Sequence, residues 1–223
     1  MRKRLLRIYR KKRRFFHLKK LFRKYHELTM IPEDLFLNNL LLIDNFKSIE
    51  GCVVECGVWR GGMIASISEI LGTDRDYYLF DSFEGLPLAK QIDGIAANNW
   101  QKDIESEYYF DNCKAEMSYA EKAMKLAGQN NFQLIKGWFS DTLPSFKPNL
   151  PIAILRLDGD WYDSTMDCLV NLYPLVKVGG IVIIDDYYVW DGCSKAVHDY
   201  LSVNKLNEKI FSNGNGLCYI VKK

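Results

Sequence analysis

The chain has 223 residues, 48% of them hydrophobic and 13% aromatic, which suits one folded domain with a sizeable core. No apolar run reaches the roughly 20 residues of a membrane span. The basic start is followed by no uninterrupted apolar segment, so no secretory leader is expected. The net charge of +2 conceals an asymmetry: thirteen of the 30 Lys and Arg fall in residues 1–24, which hold no acid, whereas Tyr25–Lys223 has 17 basic against 28 acidic residues. An acidic body disfavours nucleic acid as a partner. The six cysteines, Cys52, Cys56, Cys113, Cys168, Cys193 and Cys218, include no C-x-x-C pair. Reduced, buried thiols in a cytoplasmic protein are expected, rather than disulfides or a zinc site.

Residues 1–48 read as a basic helical extension. The first 28 mix Lys and Arg with Leu5, Leu6, Ile8, Phe15, Phe16, Leu18, Leu21 and Phe22, as in a basic amphipathic helix. Such a helix can lie peripherally on an anionic membrane, or cover the domain or a neighbouring copy in a homo-oligomer. Ile31–Phe46 reads as a second helix. From residue 49 to 223 the pattern alternates. Strands are expected at "CVVECGV", "YYLFDS", "FQLIKGWF", "PIAILRLD" and "GGIVIIDDYY". Helices are expected at Met63–Leu71, Lys114–Ala127, Ser164–Leu172 and Ser194–Val203. The end reads as a β-hairpin with an Asn-Gly turn at 213–216. The result is an α/β fold, a doubly wound and mostly parallel sheet with an antiparallel C-terminal hairpin. Residues 83–113 show little periodicity and are too long for an ordinary connection, so they read as an active-site lid.

The turn "VVECGVWRGG" places Glu55, Gly57 and Gly61 between the first strand and a helix. Its spacing is not the G-x-G-x-x-G of a pyrophosphate site. An acid two residues before the first glycine suits a ligand with an ammonium group and hydroxyls, such as S-adenosylmethionine. The alternative is a glycine-rich turn beside a solvated Glu55. Asp81, 24 residues beyond Gly57, stands where an acid commonly bonds ribose hydroxyls. In "KGWFSDTLP", Trp138, Ser140 and Asp141 are placed to stack and bond an adenine; a capped turn over core aromatics is the competing reading.

Asp158 ends the fourth strand, and Asp185 and Asp186 end the fifth. Ligands of open parallel sheets bind beyond those strand ends. Three crowded carboxylates repel one another, and a magnesium ion would relieve them. Asp160 reads as a turn residue or an aid to the acceptor, and Asp163 as the cap of the following helix.

The blocks "VVECGVWRGG", "LFDSFEGLP", "KGWFSDTLP", "LRLDGDWYDSTMDCLVNLYPLVKVGGIVIIDDY" and "GCSKAVHDYL" resemble the macrocin O-methyltransferase (TylF) family from Gly51 to Leu201. The resemblance implies a Rossmann-like class I methyltransferase fold. It implies methylation of a hydroxyl, on a sugar or glycosylated small molecule, with S-adenosyl-L-methionine and Mg2+. It places Glu55, Gly57, Gly61, Asp81 and Ser82 in the cofactor site. It makes Asp158, Asp185 and Asp186 metal ligands, with Asp158 also the base.

Other readings stay open on the residues alone. "DGD" at 158–160 fits the metal motif of sugar-nucleotide glycosyltransferases. Tyr173 and Lys177 fit a dehydrogenase Tyr-x-x-x-Lys, but Pro174 breaks the helix that motif needs. His198 is a second candidate base or an ordinary surface histidine. A non-catalytic, membrane-associated binding module would leave the set Glu55, Asp81, Asp158, Asp185 and Asp186 without a task.

Overall fold

The computed structural model describes residues 2–214 and 216–223, with side chains from Arg13 onward. Asn215 of the expected hairpin turn lies outside the described residues. So do the side chains of Leu5, Leu6 and Ile8.

Seven strands form one sheet in the order β3-β2-β1-β4-β5-β7-β6. They are β1 (Cys52–Cys56), β2 (Tyr77–Asp81), β3 (Phe132–Lys136), β4 (Ile152–Leu157), β5 (Val176–Ile184), β6 (Ile210–Ser212) and β7 (Cys218–Val221). β1 to β5 pair parallel with one another, and β7 runs antiparallel to β5 and to β6. The α/β class and the antiparallel C-terminal strands follow the sequence expectation. β1 is followed by β2 on one side and flanked by β4 on the other, so the chain reverses its winding there. That is where a ligand crevice opens in such sheets.

One face of the sheet carries α1 (Arg2–Tyr25), α2 (Glu33–Asn45), α3 (Gly62–Leu71) and α6 (Met117–Leu126). The other carries α8 (Tyr162–Leu172) and α9 (Asp191–Val203). Strand alternation assigns the faces: Val53, Leu79, Ile154 and Ile183 point to the first, and Val54, Phe80, Leu155 and Ile184 to the second. Cys52 and Cys56 share the second face, as their equal parity requires, and the six cysteines are free.

The N-terminal segment is more than a covering. Leu18, Leu21 and Tyr25 recur at helical spacing, are buried, and join the core with Phe36, Leu40 and Ile43 of α2. The Tyr25 hydroxyl donates to Glu69 of α3 at 2.5 Å, and Arg14 pairs with Asp44 at 2.6 Å. Among the described residues no helix is long and apolar enough to cross a membrane.

The expected lid has structure that its composition hid: α4 (Gly94–Lys102), then α5 (Phe110–Cys113). The latter is a single left-handed turn, with φ between 49° and 59° at four successive non-glycine residues. Asn112 fastens it, accepting from Gln101 and donating to the Leu86 carbonyl at 2.7 Å. The third strand stops at Lys136, because 139–142 coil into a short helix, α7 (Phe139–Thr142).

Gly57 fixes how tightly the crevice closes. Its φ is +84°, and a Cβ there would lie 1.6 Å from the Asp158 carbonyl oxygen. Gly72 also has positive φ, +94°, but open space around it. Gly72→Ala should therefore cost only backbone strain, about 1–3 kcal/mol. Gly57→Ala should cost more than about 4 kcal/mol or prevent folding, since backbone must move as well. Chemical unfolding of the two variants tests this; equal losses would contradict the close approach.

Candidate active site

The site is built on one cross-strand pair. The parallel register of β1 and β4 sets Glu55 beside Arg156. Both side chains are 1% exposed. Arg156 Nη1 donates to Glu55 at 3.0 Å and to Asp158 at 2.7 Å. Its Nη2 lies 2.6 Å from Asp185 Oδ1 at the end of β5. That last contact is an off-axis ion pair, since neither atom completes a hydrogen bond. One guanidinium thus ties three strand ends together. Burial opposes its charge, yet Asp185, Asp158 and Glu55 outweigh that and hold it firmly protonated. Glu55 is therefore not the solvated acid of a plain turn.

Beyond this row, oxygens of Asp158, Asp160 and Asp186 lie within 4.8 Å of one another. Asp186 Oδ2 accepts from the Asp160 amide at 3.0 Å, and Asp160 Oδ1 from the Trp190 indole at 2.8 Å. Of the expected metal set, Asp158 and Asp186 converge, and Asp160 joins them. Asp185 stands behind, its Oδ1 turned to Arg156. Five buried or half-buried carboxylates face one buried cation, an imbalance that desolvation makes costly. Burial pushes Glu55 up to about 8, Asp160 to about 7 and Asp185 to about 6, with Arg156 pulling back on Glu55 and Asp185. Burial also raises Asp186. An all-oxygen cluster with excess negative charge fits a hard divalent cation, with Asp158, Asp160, Asp185 and Asp186 available to it.

These carboxylates open into a cavity of about 650 Å³. Glu55, Gly57, Asp81, Ser82, Trp138 and Ser140 line it as well. Asp81 is half-buried, and desolvation raises its pKa against three backbone donors. Its Oδ2 accepts from Val58 and Trp59 at 2.7 and 2.8 Å, and its Oδ1 from Phe83 at 2.6 Å. It clamps the β1 turn directly. Ser82 closes the next turn through Gly85, at 2.8 Å. Gly61 starts α3 with φ +82° where a Cβ would strike Ala120, so it serves helix packing. Asp141 is not among the lining residues; its carboxylate accepts from Ser140.

Two other expectations change. Asp163 does not cap α8. Asp93 of the 83–113 segment does, accepting from the Tyr162 amide at 2.7 Å, while Asp163 pairs with Lys90. His198 lies outside the cavity and shares a 2.9 Å hydrogen bond with Tyr187.

All five tryptophans of the chain, Trp59, Trp100, Trp138, Trp161 and Trp190, line this one cavity. Trp100, Trp161 and Trp190 form a trio with ring centroids 5.2–6.1 Å apart. Trp161 also donates to the Pro87 carbonyl at 2.9 Å, so the trio joins the 83–113 segment to the sheet and its helices. Sequence reasoning missed Arg156 and the trio, and also the wall from Leu28 to Pro32. The available signal was a lone arginine inside an otherwise apolar strand, which marks a buried ion pair.

Residues 29–219 match the family model described as macrocin O-methyltransferase (TylF). The chain belongs to that family. It is 33% identical over 186 residues to demethyldecarbamoylnovobiocin O-methyltransferase of Streptomyces niveus, covering 80% of this chain and 65% of that protein. It is 38% identical over 160 residues to 8-demethyl-8-(2,3-dimethoxy-alpha-L-rhamnosyl)-tetracenomycin-C 4'-O-methyltransferase of Streptomyces olivaceus, covering 68% and 58%. The chain thus spans under two thirds of the length of these curated relatives. The solved structure of the O-methyltransferase NovP superposes with a TM-score of 0.73 at 28% identity, covering 88% of this chain and 82% of that one. The calicheamicin methyltransferase CalS11 shares the fold, with a TM-score of 0.63 at 18% identity over 94% and 91% of the two chains.

The raised carboxyls give a signed pH dependence. From about pH 4 to pH 8 these three carboxyls bind more protons in the folded chain than in the unfolded chain, so their contribution makes stability fall as pH rises through that window. Chelator-treated protein should lose unfolding midpoint steadily from pH 5 to pH 8. Arg156→Met, which leaves the acids uncompensated, should cost about 3–5 kcal/mol more. A midpoint that climbs with pH would contradict the charge imbalance.

Proposed function

We propose that the chain is an S-adenosylmethionine- and magnesium-dependent O-methyltransferase acting on a hydroxyl of a sugar or glycosylated small molecule. The observation that carries this reading is the carboxylate cluster opening into the same cavity as the acid-glycine turn. The named activities of the relatives, which are methyl transfers to oxygen, support it. Family membership removes the support for a glycosyltransferase, although Asp158 and Asp160 do converge.

The cofactor would lie along the turn after β1. Glu55 Oε2 is buried without a hydrogen-bond partner and lines the cavity, which suits an ammonium group. Trp138, 38% exposed at the wall, suits the adenine face. Asp81 acts by holding the turn. Magnesium would be held by Asp158 and Asp186, which converge, with Asp185 behind them on Arg156, and there would lower the pKa of the bound hydroxyl.

The reaction moves a methyl group from the sulfonium to the hydroxyl oxygen. The C–S bond breaks with its electron pair going to sulfur, a C–O bond forms, and the hydroxyl proton goes to a carboxylate. We assign that proton to Asp160. Asp158 already has one oxygen on Arg156, and its other would be taken by the cation. Asp160 is the converging carboxylate left over, and the Trp190 indole fixes its direction. The trio of indoles offers the acceptor a broad apolar wall.

Labelled-methyl transfer to a panel of glycosides tests the assignment. Asp158→Asn should abolish magnesium binding and turnover while cofactor binding persists. Asp160→Asn should keep magnesium binding and lose about 10²–10⁴-fold in kcat. Chelation should stop transfer, and added magnesium should restore it. Full turnover by Asp160→Asn would return the proton to Asp158. Full turnover by both variants would sink the acidic site as the reaction centre.

A further inference from the structure

The methyl-transfer reading leaves the N-terminal helix without a task, although its composition is the most biased in the chain. α1 divides into two parts. From Arg14 onward it is docked: Leu18, Leu21 and Tyr25 enter the core, Arg14 pairs with Asp44, and Lys24 pairs with Glu69. The same helix continues back to Arg2. At about 1.5 Å per residue, the turns before Arg14 add roughly 18 Å of helix beyond the docked part. Residues 2–12 contain seven Lys or Arg and no acid.

The docked part shows what its outer face offers. Arg13, Phe16, Lys20 and Arg23 are exposed opposite the buried row, and Phe15 stands beside them. Phe15 is 46% and Phe16 57% exposed. Lys19 lies over the Phe15 ring at 5.3 Å and Lys20 over the Phe16 ring at 5.0 Å. Two exposed phenylalanines flanked by cations form a surface with both apolar and positive character.

We propose that α1 docks the protein onto an anionic lipid bilayer, its basic residues meeting the headgroups and Phe15 and Phe16 entering the interface. Charge complementarity selects the partner: the helix is the basic part of a chain whose remainder is acidic. An anionic surface attracts α1 and repels the rest, which orients the molecule. A nucleic acid offers the same negative charge, but it has no use for the phenylalanines and would be repelled wherever it wrapped onto the body. The docked helix runs through His26–Leu28 into the segment Leu28–Pro32, which forms a wall of the cavity. Binding at α1 therefore places the cavity near the surface, where an acceptor carried on a lipid would be presented. The docking itself does not depend on the methyl-transfer reading.

The test is co-sedimentation of the full chain with vesicles of phosphatidylcholine alone or with roughly one-third phosphatidylserine, at low and high salt. The protein should pellet with the anionic vesicles, remain in solution with the neutral ones, and be released by salt. Lys20→Glu with Arg23→Glu, and separately Phe15→Ala with Phe16→Ala, should each lower partitioning on the order of tenfold. These side chains are exposed, so unchanged thermal unfolding should accompany the loss. No preference for anionic vesicles would overturn the proposal. So would tighter binding to duplex DNA than to those vesicles, or self-association abolished by the same substitutions. Because the readout is binding, failure here leaves the methyl-transfer assignment intact, and failure of methyl transfer leaves this result standing.

Discussion

A single buried guanidinium organises this protein. Arg156 stands in the row where β1, β4 and β5 end, and its two terminal nitrogens meet Glu55, Asp158 and Asp185. A buried arginine without these acids would be prohibitively costly, and the acids without the arginine would repel one another. The parallel register enforces the arrangement by bringing the strand ends level. The guanidinium neutralises only part of the charge. Asp160 and Asp186 add two more carboxylates on the cavity side. The fold therefore leaves an electrostatic deficit facing the crevice, and a divalent cation is the species that suits it.

The cavity is lined on the other side by the 83–113 segment, which is fastened at several points. Asp93 caps α8, Trp161 bonds the Pro87 carbonyl, and Lys90 pairs with Asp163. The indoles of Trp100, Trp161 and Trp190 fill the joint between lid and body. The left-handed turn at Phe110–Cys113 is strained for four non-glycine residues and is held by Asn112. Asp160 ties this region to the carboxylate cluster, because Trp190 both orients its carboxylate and packs against Trp100.

Much of this was legible in the sequence, for identifiable reasons. The five parallel strands read clearly because each is a short apolar run that ends in a turn signal or an acid. The convergence of Asp158 and Asp186 was legible from their place at strand ends, whereas Asp185, expected with them, turns to Arg156. The lid helix Gly94–Lys102 was not, since only Ala97 is buried there and its pattern carries no strong apolar stripe. The extent to which α1 shares the core was hidden by its charge: Leu18, Leu21 and Tyr25 are a narrow stripe among cations. The cap of α8 was misplaced on Asp163 because the real cap, Asp93, is 69 residues away. The tryptophan trio was invisible for the same reason, its members being brought together only by tertiary structure.

The central claim is that the buried acids around Arg156 are completed by a divalent cation. Calorimetric titration of magnesium into the chelator-treated chain tests it most directly. The account predicts saturable binding of one ion per chain, abolished by Asp158→Asn and by Asp186→Asn and retained in Asp160→Asn. Absence of saturable binding, or binding unchanged in Asp158→Asn and Asp186→Asn, would contradict it.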